Sequence, residues 1–262
     1  SSAQGSVPDA NIVLGGSGAN RTVTVTPASN QSGSATITLT VSDGAASTTD
    51  TFVLTVDAVN DAPTISNVTN QQTNEDTATS ALAVTLGDVE TAVANLDLSG
   101  SSSNTTLVPD ANIVLGGTGA SRTVTVTPAS NQSGSATITL TVSDGTASST
   151  DTFVLTVDAV NDVPTISDVS SLSTNEDTAT SALAVTLGDE DADDLTLSAS
   201  SSAQGLVPDA NIVLGGSGAN RTVTVTPASN QSGSATITLT VSDGTASSTD
   251  TFVLTVDAVN DV

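Results

Sequence analysis

The sequence predicts an all-β protein made of tandem two-sheet sandwiches. Two observations carry this. The first is a period of two: in residues 35–41, Ala-Thr-Ile-Thr-Leu-Thr-Val, apolar and threonine side chains alternate, as they do when one face of a strand is buried. The second is self-similarity. The stretch V-D-A-V-N-D-A-P-T-I-S at residues 56–66 returns at 157–167 with Val163 in place of alanine and opens again at 256–262, so Asn60, Asn161 and Asn260 are equivalent and mark intervals of 101 and 99 residues.

Within the second repeat, residues 62–162, the same alternation gives about seven strands, at residues 64–67, 82–86, 96–99, 113–115, 123–127, 137–142 and 153–157. Threonine suits their outward faces because it is β-branched and tolerates water. Turn signals separate them, among them Val-Pro-Asp-Ala at 108–111, Gly-Gly-Thr-Gly at 116–119, and Asp144-Gly145. No stretch carries a helical stripe. Each repeat has a single phenylalanine (Phe52, Phe153, Phe252) inside the repeated strand Thr-Asp-Thr-Phe-Val-Leu-Thr-Val. The register divides the chain into the C-terminal part of a repeat at 1–61, then complete repeats at 62–162 and 163–262, and the sandwiches are expected to follow one another as a linear rod. The start at Ser-Ser-Ala, with no initiator methionine, is expected of a piece of something longer.

Composition narrows the chemistry. Twenty-eight acidic residues face three basic ones, a formal charge of −25, so nucleic acid and anionic membrane surfaces are repelled. No apolar run is long enough for membrane insertion. There is no histidine, cysteine, lysine or tyrosine to activate the many hydroxyls as nucleophiles, and zinc, iron and copper lack their usual ligands. An enzyme is not expected. A hard cation that prefers six to eight oxygen ligands is another matter.

Strand parity says where those oxygens gather. If successive strands run antiparallel, the turn holding Asn74-Glu75-Asp76 lies at the outgoing end of its repeat, with Asp110. The loop holding Asp88 and Glu90 and the turn holding Asp144 lie at the incoming end. At the joint after the second repeat, Glu75, Asp158, Asn161, Asp162, Asp189 and Asp191 are then expected to meet. At the joint before it, Asp57, Asn60, Asp61, Asp88 and Glu90 meet without a glutamate from the preceding unit. Glu176 is the third repeat's equivalent of Glu75. So many carboxylates repel one another unless a cation lies between them, and Ca²⁺ is the expected cofactor, held more firmly at the second joint. The alternative is a solvated acidic turn.

Several of these stretches, taken in order, carry a resemblance. Thr-Pro-Ala-Ser-Asn at 26–30 with Gly33, Leu-Thr-Val-Ser-Asp-Gly at 39–44, and Val-Asp-Ala-Val-Asn-Asp-Ala-Pro at 56–63, followed by Asn-Glu-Asp at 74–76, resemble the cadherin-like tandem repeats of giant bacterial surface adhesins of the repeats-in-toxin type. The resemblance implies cadherin-like or Ig-like sandwiches, an extracellular or cell-surface bacterial location, and calcium-stiffened joints. Asp57, Asn60 and Asp61 resemble the cadherin linker D-x-N-D with one added residue. Asp189 and Asp191 resemble its D-x-D, Asp88 and Glu90 replace one member by glutamate, and Glu75 and Glu176 resemble the first-strand glutamate. The L-D-R-E segment has no counterpart, so one or two ions per joint are expected. A stalk that projects a distant binding domain follows as the leading function, with neighbouring repeats of the same chain as partners. Its rival is an extracellular filament in which other copies of the chain complete the first unit by strand exchange. Sugar binding lacks the flat aromatic rings it would need.

Overall fold

The computed structural model describes residues 1–191 and 194–260. Ala192 and Asp193 of the shorter loop, and Asp261 and Val262 at the end of the last joint stretch, lie outside the described residues. The chain divides into two compact units, one of residues 1–73, 77–129 and 135–156, the other of residues 74–76, 130–134 and 157–262.

In the first unit, strands β1 (Ile12–Ser17) and β2 (Asn20–Val25) pair in one two-stranded sheet, and β3 (Gly33–Ser42) and β4 (Ser47–Val56) in another. After them come β5 (Thr64–Ile65), β6 (Gln71–Asn74), β7 (Leu82–Gly87), β8 (Asp97–Ser102), β9 (Ile113–Thr118), β10 (Ser121–Val126), β11 (Gly134–Ser143) and β12 (Ser148–Asp158). These form two four-stranded sheets, in the orders β5-β7-β10-β9 and β6-β12-β11-β8. The second unit repeats the design with β13 (Thr165–Ile166), β14 (Leu172–Asn175), β15 (Leu183–Gly188), β16 (Thr196–Ser201), β17 (Ile212–Ser217), β18 (Asn220–Val225), β19 (Gly233–Ser242) and β20 (Ser247–Asp257), in the orders β13-β15-β18-β17 and β14-β20-β19-β16. The fold is tandem all-β sandwiches, as the alternation predicts.

The first strand extends beyond the predicted 64–67 and is divided. Its start, β5 or β13, pairs antiparallel with the next strand of one sheet; its continuation, β6 or β14, crosses to the other sheet. There β14 lies parallel to β20, Leu172 opposite Leu254 and Asn175 opposite Asp257. The crossing is pinned by a carboxylate: Asp151 accepts from the Asn67 side chain at 3.0 Å and from the Val68 amide at 2.8 Å. Val68 is buried. Among the described residues, each of the two complete repeats thus has eight strands where the sequence suggested about seven.

The cores are aliphatic with one ring each. In the second sandwich Leu140, Val142, Phe153 and Leu155 are fully buried, and in the third Leu239, Val241, Phe252 and Leu254 are. In the two-sheet unit formed by β1 to β4 only Val7, Ala35 and Ile37 reach that state, while Phe52 is 39% exposed and Leu14 68%. The turn joining β9 to β10 requires glycine: Gly117 has φ 79°, and a Cβ there would sit 2.4 Å from the Ser121 carbonyl oxygen.

Candidate functional site

Within the second unit, the turn 74–76 meets the stretch that leaves β12. The Glu75 amide donates to the Asp158 carbonyl at 2.9 Å, and Glu75, a residue only 6% exposed, accepts through its carboxylate from the Val160 amide at 2.6 Å. Further along, Asn161 donates to the Asp162 carbonyl at 2.7 Å and to Asp243 at 3.0 Å. The Asp162 amide donates to Asp191 at 2.6 Å, and the Asp191 amide to Asp189 at 3.0 Å. Glu75, Asp158, Asn161, Asp162, Asp189 and Asp191 are therefore joined into one neighbourhood.

Electrostatics there is unfavourable. The Asp162 carboxyl is pushed above the ordinary range first by burial, then by the charges of Asp191, Glu75, Asp76 and Glu190. The Oδ2 atoms of Asp162 and Asp189 are buried and have no hydrogen-bond partner. A buried carboxylate oxygen left unpaired is costly, because it has given up water and received nothing.

In the first unit, Asn60 donates to the Asp61 carbonyl and to Asp144, both at 2.8 Å, and the Asp61 amide donates to Glu90 at 3.0 Å. Asp88 accepts from the amides of Glu90 and Thr91 through Oδ1, while its Oδ2 is buried and unpartnered. Asp57 stays exposed. Where the second unit places Glu75, the first unit has a groove of about 680 Å³ lined by Asp57, Val59, Asp61 and Glu90 among others. Glu176 repeats the behaviour of Glu75: its amide donates to the Asp257 carbonyl at 2.9 Å and its carboxylate accepts from the Val259 amide at 2.6 Å.

Two residues outside the predicted set belong to these clusters. Asp144 and Asp243 close their turns by accepting backbone amides through Oδ1 and reach the linker asparagine through Oδ2. Those bonds hold both carboxyls below the ordinary range, the Ala147 and Ala246 amides contributing most. The signal was present: Val-Ser-Asp-Gly recurs in every repeat, at a turn that strand parity puts at the incoming end. Among the described residues, no group of three or more carboxylates is arranged to hold a metal ion as it stands. Calcium also takes carbonyl, amide and water oxygens, which these linkers supply.

Bacterial Ig domains match the chain three times, at residues 3–57, 60–158 and 161–257. No curated protein matches it in sequence. Among solved structures it is similar to extracellular cadherin domains 1–5 of protocadherin gamma B2, at 19% identity over 95% of this chain and 51% of that one, with a TM-score of 0.49. It is also similar to titin domains Z1Z2 in complex with telethonin, at 13% identity over 77% of this chain and 100% of that one, TM-score 0.38. An endo-fucoidan hydrolase of glycoside hydrolase family 107 aligns at 19% identity and TM-score 0.34, over 96% of this chain and 38% of that one, so this chain spans well under half of that enzyme's length. With three successive matches covering nearly its whole length, the chain belongs to the bacterial Ig domain family, as tandem Ig-like and cadherin-like β-sandwich repeats.

Proposed function

We propose that the chain is a structural extender, a stalk segment of a large extracellular bacterial adhesin whose repeats are stiffened by Ca²⁺ at their joints. Bacterial Ig domains are typically structural domains outside the cell, which supports the coarser part of this reading. The observation that carries the calcium part is the set of unpartnered buried carboxylate oxygens, on Asp88, Asp162 and Asp189, every one of them at a joint. Asp162, Asp189 and Asp191, with Glu75, Asp158 and the linker carbonyls, would hold the ion at the second joint. Asp61, Asp88 and Glu90, with Asn60, would hold it at the first. A bound cation would offset the repulsion on Asp162 and cross-link linker to loop, at an affinity of about 10⁻⁴–10⁻³ M, as in other extracellular modules. The chain carries out no reaction of its own in this reading; its partners are the neighbouring repeats.

Small-angle scattering in calcium and in chelator tests this, alongside titration calorimetry. The expected result is a longer, stiffer particle with calcium and a binding heat. An unchanged profile with no heat removes the stiffening role.

A second reading is favoured by one observation. The β1–β4 unit exposes Phe52, and it exposes Leu14 and Val41 along a groove of about 640 Å³ that also includes Val23 and Leu39. Strands from another copy of the chain could cover this face and build a filament. Concentration-dependent polymers seen by electron microscopy would favour it; a monomer at all concentrations would exclude it.

A further inference from the structure

The third sandwich starts and finishes on one pair of strands. Its strand pairings run antiparallel except that of β14 with β20. The chain enters β14 from the incoming side and leaves β20 toward the outgoing linker. A pull on the two ends of the sandwich therefore draws the two parallel strands in opposite senses along their own axes. All the rungs between them are then strained together. Pulled from the same end, the same two strands would unzip rung by rung.

The attachment is longer than the four-residue ladder. Before it, the Val169 amide donates to Asp250 at 2.9 Å, and the Val253 amide to the Ser171 hydroxyl at 3.0 Å. After it, Glu176 holds the Asp257 carbonyl through its amide and the Val259 amide through its carboxylate. That last bond is charge-assisted, hence among the stronger kinds. It reaches past the end of β20 into the linker itself. Glu75 makes the same pair of bonds to Asp158 and Val160, so the device is copied along the chain. Glu75 is nearly fully buried, an expensive position for an acid whose bond here is to a backbone amide, while Glu176 is half-buried.

We infer that Glu176 is a latch that closes the outgoing end of the β14–β20 pair and holds it against sliding when the two ends of the sandwich are pulled. The latch is made of the chain's own atoms and works without a cation. Its test is therefore run in chelator, where failure of the calcium reading has no bearing on the result.

The chain has no native cysteine, so single thiols can serve as handles on the full chain. One handle is Val163→Cys, at a position 57% exposed; the other is at the C-terminus or at Thr245→Cys, in the turn before β20. In single-molecule pulling at constant force, the third sandwich is expected to open at least tenfold more slowly when held by the C-terminus than by residue 245, since forced unfolding reports the unfolding rate. Glu176→Ala should speed opening roughly tenfold in the C-terminal direction and leave the other direction unchanged. Glu176→Gln, which keeps an acceptor oxygen, should recover some of the loss. Equal rates in both directions overturn the inference, as does a Glu176→Ala effect that is absent or the same in both. The comparison of directions needs no change at Glu176, so it stands even where that variant folds poorly.

Discussion

The side-chain amide of Asn161 reaches Asp243 at 3.0 Å, tying the stretch that enters the third sandwich to the turn between β19 and β20. Asp243 and Asp162 are thereby neighbours in the same cluster with opposite ionisation behaviour. The Asp243 carboxyl is held low by the Ala246 amide, the Asn161 side chain and the Thr245 amide. The Asp162 carboxyl is pushed up by burial and by four acidic neighbours.

The two shifts make opposite predictions for pH. A lowered carboxyl contributes stability above its ordinary value of 3.8, and loses it as pH falls through the folded value. A raised one contributes stability fully only below 3.8, and loses it as pH rises through the folded value. In chelator at pH 7, Asp243→Asn should therefore melt below the parent chain and Asp162→Asn above it. Both gaps should close on acidification. Differential scanning calorimetry from pH 7 to pH 3 reads this directly.

Calcium should reverse one of those signs. With millimolar Ca²⁺, Asp162→Asn is expected to gain less from the ion than the parent chain and to melt below it. Asp189→Asn, which replaces another unpartnered oxygen, should weaken the heat of binding in titration calorimetry. Equal calcium-induced shifts in parent and variants would separate the metal from this cluster.

Removing the carboxylate that pins the crossing between β13 and β14 should cost more than an exposed acid usually does. Asp250 accepts from the partly buried Val169 amide, and Asp250→Ala leaves that donor unsatisfied, a loss of about 1–3 kcal/mol. Denaturant unfolding of the third sandwich is the measurement. Asp168→Ala, an exposed change nearby, should stay within about 0.5 kcal/mol.

The single aromatic ring of each repeat gives an internal comparison. Phe252 is 1% exposed and Phe52 39%. Phe252→Ala should cost about 3–5 kcal/mol through lost burial and the cavity left behind. Phe52→Ala should cost distinctly less in the same assay, because much of that ring already faces water.

The strands with one buried face were legible because their apolar residues alternate with threonine. Strand β6, Gln71–Asn74, has no such pattern: its side chains are polar, and it lies at the edge of its sheet beside β12. That is why the division of the first strand escaped a reading based on apolar periodicity. The incoming-end loops were placed correctly by parity, as the Asn60–Asp144 and Asp61–Glu90 bonds show. The bond from Glu75 to the Val160 amide was not legible. A glutamate in a joint has the same sequence signature whether it faces a backbone N–H or a cation, and only geometry separates the two.

One consequence concerns how such a chain reaches its native pairing. The strand containing Phe52, Phe153 or Phe252 repeats the same eight residues, Thr-Asp-Thr-Phe-Val-Leu-Thr-Val, three times. Local chemistry therefore gives β14 no reason to prefer β20 over its two duplicates. Selection falls to connectivity, which makes the correct receptor the one whose loop closes at least entropic cost. Near-identical repeats thus exchange chemical selectivity for a kinetic race. Their order of emergence during synthesis, with each sandwich sealed before the next appears, becomes the safeguard against swapped strands.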